Sequence, residues 1–290
     1  MSNYVLLTDS SADLPAKLYK ELDIELLPLS FILEEKSYLN LPDESTMRFH
    51  DFYELLRGGK NVTTSAINVE TFRETFLPFL KEGKDVLYLG FSSGLSGTFS
   101  AGHIAAQELM EEYPERKILC VDTLCASLGQ GMLVYLTAKK RLEGASIEEA
   151  AAFAEENKLH LCHWFTVDDL FFLKRGGRIS AATALVGSAL GIKPILHVDD
   201  EGHLISISKV RGRKKSIAAL MERMKEAAID PAEQIPFISH GDCPEDANEL
   251  ADMLRKEFGV KDVIINHVGP VIGAHSGPGT LALFYLGKQR

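Results

Sequence analysis

In the first half of the chain, short apolar runs alternate with stretches of helical periodicity. Tyr4 to Thr8 is an apolar run ending in Asp9-Ser10-Ser11. Asp13 and Pro15 follow, a capping residue and an early proline, and predict a helix start. A second apolar run covers Ile24 to Leu33. Apolar residues recur at helical spacing from Met47 to Leu56, closed by Gly58-Gly59, and again from about Val69 to Lys81, closed by Gly83. Asp85 to Leu89 reads as a buried strand, Gly90 to Gly97 as a loop, and Thr98 to Tyr113 as a helix stopped by Pro114. Lys117 to Val121 is a further strand, and a helical stretch from Ala126 to Leu142 breaks at Gly144. Strands alternating with helices in this way predict a parallel sheet covered by helices on both faces.

The pattern changes near Lys158. Val167 to Leu173 is short and apolar, and Lys174-Arg175-Gly176-Gly177-Arg178 follows it. Ala181 to Leu190 is small and apolar throughout; it reads as a core helix or as the lining of an apolar slot. Ile192 to Val198 and His203 to Val210 read as strands joined by a turn at Asp199-Asp200-Glu201-Gly202. Helices are expected at Lys214 to Ala228 and Glu245 to Phe258, and strands at Ile235 to Ser239 and Val263 to His267. The expected organisation is α/β, with an N-terminal domain over residues 1–157 and a C-terminal α/β domain over 158–290.

A length of 290 residues suits two cores. No stretch reaches the ~18 apolar residues of a membrane span, and Met1-Ser2-Asn3 opens directly into a strand-like run without a signal segment. A cytoplasmic location is therefore expected, with no stable membrane insertion. The net charge of −10 argues against a nucleic-acid binder. The one basic patch is Arg211-Gly212-Arg213-Lys214-Lys215. Cys120, Cys125, Cys162 and Cys243 form no C-x-x-C pair and read as reduced thiols. His160-Leu161-Cys162-His163 holds metal-capable residue types, but its spacing is not that of the usual zinc pairs, and no metal site is expected.

The most informative candidate is the loop Gly90-Phe91-Ser92-Ser93-Gly94-Leu95-Ser96-Gly97-Thr98, between a buried strand and a helix start. Backbone N–H groups and the helix dipole make such a loop an anion site. Ser93, Ser96 and Thr98 add hydroxyl donors. The plainer reading is a connection capped by Ser96. The lysine of a Walker loop is missing, and so is the G-x-G-x-x-G spacing. Gly90 to Gly94 does match G-x-S-x-G, which raises a serine hydrolase using Ser92 or Ser93. A nucleophile elbow turns at once into its helix, however, and here the helix begins several residues later. Thr63, Thr64, Ser65 and Asn68 gather polar groups before the helix near Val69, where the simplest task is capping. His275 lies among glycines that let backbone approach a ligand; it is either an anion donor or a loop histidine.

Taken together, six segments resemble the DegV family, in family order and across the whole chain. They are TDSSADLP at Thr8 to Pro15, TSAIN at Thr64 to Asn68, SSGLSGTF at Ser92 to Phe99, LKRGGRIS at Leu173 to Ser180, KVRGRKK at Lys209 to Lys215 and GAHSGPGTL at Gly273 to Leu281. The resemblance implies two α/β domains, related to dihydroxyacetone-kinase substrate domains, with a fatty acid in a tunnel between them. It implies that the carboxylate meets the hydroxyls of Thr64 and Ser96, with Arg178 and His275 near the head group. The Gly97 amide is a further donor of the needed type. The family's carriers for bacterial fatty acid kinase hand the carboxylate to a separate kinase subunit and carry the acyl phosphate onward, to an acyltransferase. Arg211 matches the arginine implicated in meeting that kinase. The implied role is a carrier without turnover or cofactor, holding a palmitate-, stearate- or oleate-like acid. A small-molecule kinase subunit is a further reading, but no phosphate-gripping lysine motif supports it. Many members read TSQPS where this chain has Thr64-Ser65-Ala66-Ile67-Asn68; the first hydroxyl is kept and Asn68 is expected to donate to the head group.

Overall fold

The computed structural model describes residues 4–180 and 191–290; the apolar segment Ala181 to Leu190 lies outside the described residues. The strands in chain order are β1 Tyr4–Asp9, β2 Ile24–Leu27, β3 Ser30–Leu33, β4 Lys36–Leu39, β5 Val62–Ser65, β6 Asp85–Gly90, β7 Ile118–Asp122, β8 Leu161–Thr166, β9 Ile192–Val198, β10 Leu204–Arg211, β11 Phe237–His240, β12 Ile264–His267 and β13 Leu281–Leu286. The helices are α1 Ala16–Glu21, α2 Phe49–Arg57, α3 Val69–Lys81, α4 Thr98–Glu112, α5 Leu128–Leu142, α6 Ile147–Asn157, α7 Phe171–Arg175, α8 Arg213–Ala227, α9 Pro244–Phe258 and α10 Pro270–Ser276.

The first sheet is parallel, in the order β2-β1-β6-β7. Its strands bury both faces, as near-continuous apolar strands do. Leu7, Val86 and Tyr88 pack on Phe72 and Phe76 of α3 and Leu109 of α4. Leu6, Leu87 and Leu89 point the other way, toward Met132 and Leu133 of α5 and Ala150 of α6. The run Ile24 to Leu33 is not one strand. It divides at Pro28, β2 staying in the parallel sheet while β3 joins a small antiparallel sheet, β4-β3-β5, against α2. A proline has no N–H to continue a ladder, so the chain changes sheets there.

The second sheet has the order β10-β9-β8-β13-β11-β12 and is antiparallel except for the β11–β12 pair. One face, with Cys162, Ile238, Leu283 and Tyr285, packs on α8 and α9. The other, with Phe165, Phe237 and Phe284, shares a core with α5 and the first sheet. Helix α5 thus lies between the two sheets. The strands of the first sheet precede Lys158 and those of the second follow it, yet the apolar core is continuous across that point.

Two close approaches fix α5 in place. A side chain at Gly131 would put its Cβ 2.4 Å from the Ala12 carbonyl oxygen. One at Gly129 would meet the His163 ring at 1.9 Å. Both glycines serve as the contact surface of a helix pressed from two sides.

Candidate functional site

The loops at the carboxyl ends of the parallel strands face the α5 side of the second sheet, and a cavity of about 300 Å³ lies between them. Its floor follows strand alternation. His163 and Phe165 on β8, Ala282 and Phe284 on β13, and Ser239 on β11 project to one face. Leu29, Thr64, Phe91 and Leu95 close it from the first half of the chain, and Val271, Ile272 and His275 of α10 close it from the second.

Four polar residues expected near a head group reach this cavity. Thr64 Oγ1 and His275 Nε2 are 2.8 Å apart. The His275 ring lies against Gly176, where a Cβ would come within 2.2 Å of Nδ1. Burial, together with the positive charges of Arg178 and Arg175, pushes the imidazole pKa down to about 4, so it is neutral at pH 7. Arg178 is half-buried; its Nε donates to the Leu95 carbonyl at 3.3 Å and its Nη1 to that of Gly176. This ties α7's downstream turn to the loop that carries Ser96. Burial also lowers the guanidinium pKa, the direction expected of a cation short of counter-charge. Ser96 Oγ is 2.9 Å from Thr98 Oγ1 and accepts from the Thr98 amide at 3.2 Å, just ahead of α4, while facing the cavity. Gly97, also in the wall, is the N-cap residue of α4.

Asn68 stands apart from the other expected head-group residues. It is exposed and absent from the cavity wall, and its Oδ1 accepts from the Thr71 amide at 2.8 Å as the N-cap of α3. The cap satisfies one of the open N–H groups at the helix start through the acceptor end of the amide. Ala66 of the same motif does line the cavity, and Ile67 is buried in the α3–α4 core.

The serine-hydrolase geometry is not present at Ser92. The residue is fully buried, and its Oγ donates to the Gly202 carbonyl at 2.9 Å and accepts from the Gly94 amide at 3.2 Å. Helix α4 begins only at Thr98. Ser93 is exposed, and its amide is held by Asp122 Oδ1 at 3.2 Å. Of the segment His160 to His163, Leu161 onward belongs to β8 and His160 lies just before it. His163 faces α5, whereas Cys162 is on the opposite face with Sγ 3.3 Å from the Gln289 carbonyl. The group of metal-capable residues found among the described residues is elsewhere, at His50, Glu54 and Asp242, and there Arg57 already donates to both carboxylates.

The basic patch also divides. Arg213 Nε is 2.8 Å from Asp246 Oδ2, which pins the start of α8 to α9. Arg211 is exposed at the end of β10 and makes no ion pair among the described residues. The sheet-borne wall of β8 and β13, with Ser127 and Ser239, carries no local motif in the sequence. The continuous apolar run Leu281–Leu286 is the available signal for a buried strand.

The DegV family model matches residues 3–288, a family described as uncharacterised proteins. The chain belongs to the DegV family. A DegV domain-containing protein of Clostridium perfringens is 48% identical and aligns over 100% of this chain and 99% of its own. A Thermotoga maritima protein with a fatty acid binding function has 32% identity and a TM-score of 0.84, covering 98% of this chain and 99% of its own. A fatty-acid-binding DegV family protein of Thermus thermophilus has 30% identity and a TM-score of 0.86, with coverage of 98% and 99%. No helix among the described residues is long and apolar enough to cross a membrane.

Proposed function

We propose that this DegV family member binds a long-chain fatty acid between two α/β units, residues 1–157 and 158–290, and presents its carboxylate to a separate kinase. The observation that carries this reading is the cavity itself. Its wall is mostly apolar, yet Thr64, Ser96, Arg178 and His275 converge on it from four separate segments. A carboxylate stripped of water needs charge-assisted donors, and these residues supply them. A neutral imidazole beside Thr64 serves as a hydrogen-bond donor rather than a second fixed cation. The fatty acids bound by the Thermotoga and Thermus relatives support the same occupant. Each buried methylene contributes ~0.8 kcal/mol, so a palmitate-, stearate- or oleate-like chain gains on the order of 10 kcal/mol. That is enough to survive purification. Native mass spectrometry of freshly prepared protein should show a fatty-acid adduct that solvent extraction releases. Apo protein alone, even after incubation with palmitate or oleate, would contradict the carrier reading.

The kinase partnership rests on Arg211. It is an exposed cation without an ion-pair partner among the described residues, on an acidic protein. Such a group serves association with an acidic surface or steadies a phosphoryl group in transfer. Arg211→Ala should keep its lipid but slow acyl-phosphate formation with a cognate fatty acid kinase about tenfold at low salt, with a smaller deficit as salt rises. Loss of lipid in parallel would place Arg211 in the binding site instead. In this reading the carrier then delivers the acyl phosphate to an acyltransferase.

A further inference from the structure

The Thr8 to Pro15 segment contributes no residue to the head-group set, yet it drives a carboxylate into the interior. Asp13 has left-handed backbone, φ 50°, and is only 6% exposed. Its carboxyl oxygen accepts from Ser127 Oγ at 2.6 Å, and Ser127 Oγ lies 3.0 Å from Ser239 Oγ. Ser127 and Ser239 both line the cavity. Ser276, 4% exposed, lines it too, and its Oγ has no hydrogen-bond partner among the described residues. A purely apolar chain has nothing to offer these oxygens.

Ser127 has a single hydroxyl proton. When Asp13 is ionised, Ser127 donates to it and must accept from Ser239, which leaves Ser239 with acceptor lone pairs. When Asp13 holds a proton, the order reverses, and Ser239 is left with a donor as well. Burial pushes the Asp13 carboxyl up to about 8, toward the second arrangement. In either arrangement the relay ends at Ser239 with hydrogen-bonding capacity to spare, and Ser276 adds more.

We infer that Ser239 and Ser276 form a subsite for an oxygen carried on the ligand's chain, so that the preferred ligand class includes hydroxylated long-chain fatty acids. The inference rests on the fatty-acid reading above and narrows it. A hydrophobic wall rejects an added hydroxyl by roughly 100-fold; a wall with waiting partners does not.

The test uses the full chain, delipidated, in a displacement assay with stearate and with hydroxystearates whose hydroxyl is moved carbon by carbon along the chain. At least one positional isomer should bind within about threefold of stearate or more tightly. For that isomer, Ser239→Ala and Ser276→Ala should each lower the affinity ratio of hydroxystearate to stearate by about tenfold. The ratio, rather than either affinity, is the readout, so a general loss of binding competence cancels. If every isomer binds tenfold or more below stearate, the oxygens hold only ordered water and the inference fails. An unchanged ratio in both variants also overturns it. If stearate itself does not bind, the carrier reading falls first.

Discussion

Gly131→Ala should destabilise the protein by about 2 kcal/mol or more, although alanine is the better helix former. In an exposed helix the same change stabilises by about 1 kcal/mol, because glycine loses more backbone entropy on folding. Here the new Cβ would sit 2.4 Å from the Ala12 carbonyl oxygen. That atom is main chain, in the short 3₁₀ turn Ser10–Ala12, and two hydrogen bonds hold the turn. Asp9 Oδ1 accepts from the Ser11 amide at 3.0 Å, and Ser10 Oγ accepts from the Leu29 amide at 2.9 Å. It cannot swing aside as a side chain would, so α5 itself must move. Because α5 packs on both sheets, the displacement spreads through the shared core, and overpacking of this kind costs typically 1–3 kcal/mol beyond the lost propensity gain. Urea titration followed by circular dichroism measures the difference. A variant as stable as the parent, or more so, would mean that α5 slides freely and that the two sheets do not share a rigid core.

The same region shows which parts of the molecule the sequence reveals. Helix α3 begins and ends at Val69 and Lys81, as its periodicity predicts, because Asn68 at its start and Gly83 beyond its end are local signals. Ser96 and Thr64 stand out for a similar reason: each is a hydroxyl in a short polar loop or edge beside a helix start. The floor of the cavity is different. It forms only when β8 pairs with β13, joining Phe165 to Ala282 and His163 to Phe284 across more than a hundred residues. Nothing within Leu161–Thr166 announces that partner, and His163 is not marked there as a wall residue. Its Nδ1 is 3.1 Å from the Leu161 carbonyl, and burial drives its pKa well below the ordinary range, so it is a neutral core residue. Asn68 is legible as a cap for the same local reason: its Oδ1 accepts from the Thr71 amide at the start of α3. Local bonding decided elements and caps; non-local strand pairing decided the binding wall.

The second large effect concerns the head group. Removing a hydrogen bond to a charged group costs roughly 1.5–3 kcal/mol. The double variant Thr64→Ala, Ser96→Ala should therefore weaken stearate binding by about 100-fold or more. The two losses should differ in character. Thr64 Oγ1 shares a hydrogen bond with His275 Nε2, so its removal also leaves a half-buried imidazole to find another partner. Ser96 Oγ also accepts from the Thr98 amide at the start of α4, so its loss removes a local hydrogen bond as well as a ligand contact. Stability must thus be measured beside affinity for each single variant. The discriminating ligand is stearyl alcohol, which has the same chain and no charge. Its burial rests on the apolar wall, worth on the order of 10 kcal/mol for a chain of this length. The alcohol should bind the double variant within about threefold of the parent, while the acid loses its two orders of magnitude. Equal losses for acid and alcohol would mean that the substitutions distort the cavity rather than unseat a carboxylate. Unchanged acid affinity would place the head group elsewhere, with Arg178 then the remaining cation in the wall able to hold it. In that event Arg178→Ala should abolish the preference for acid over alcohol, because no other fixed positive charge is built into the cavity among the described residues.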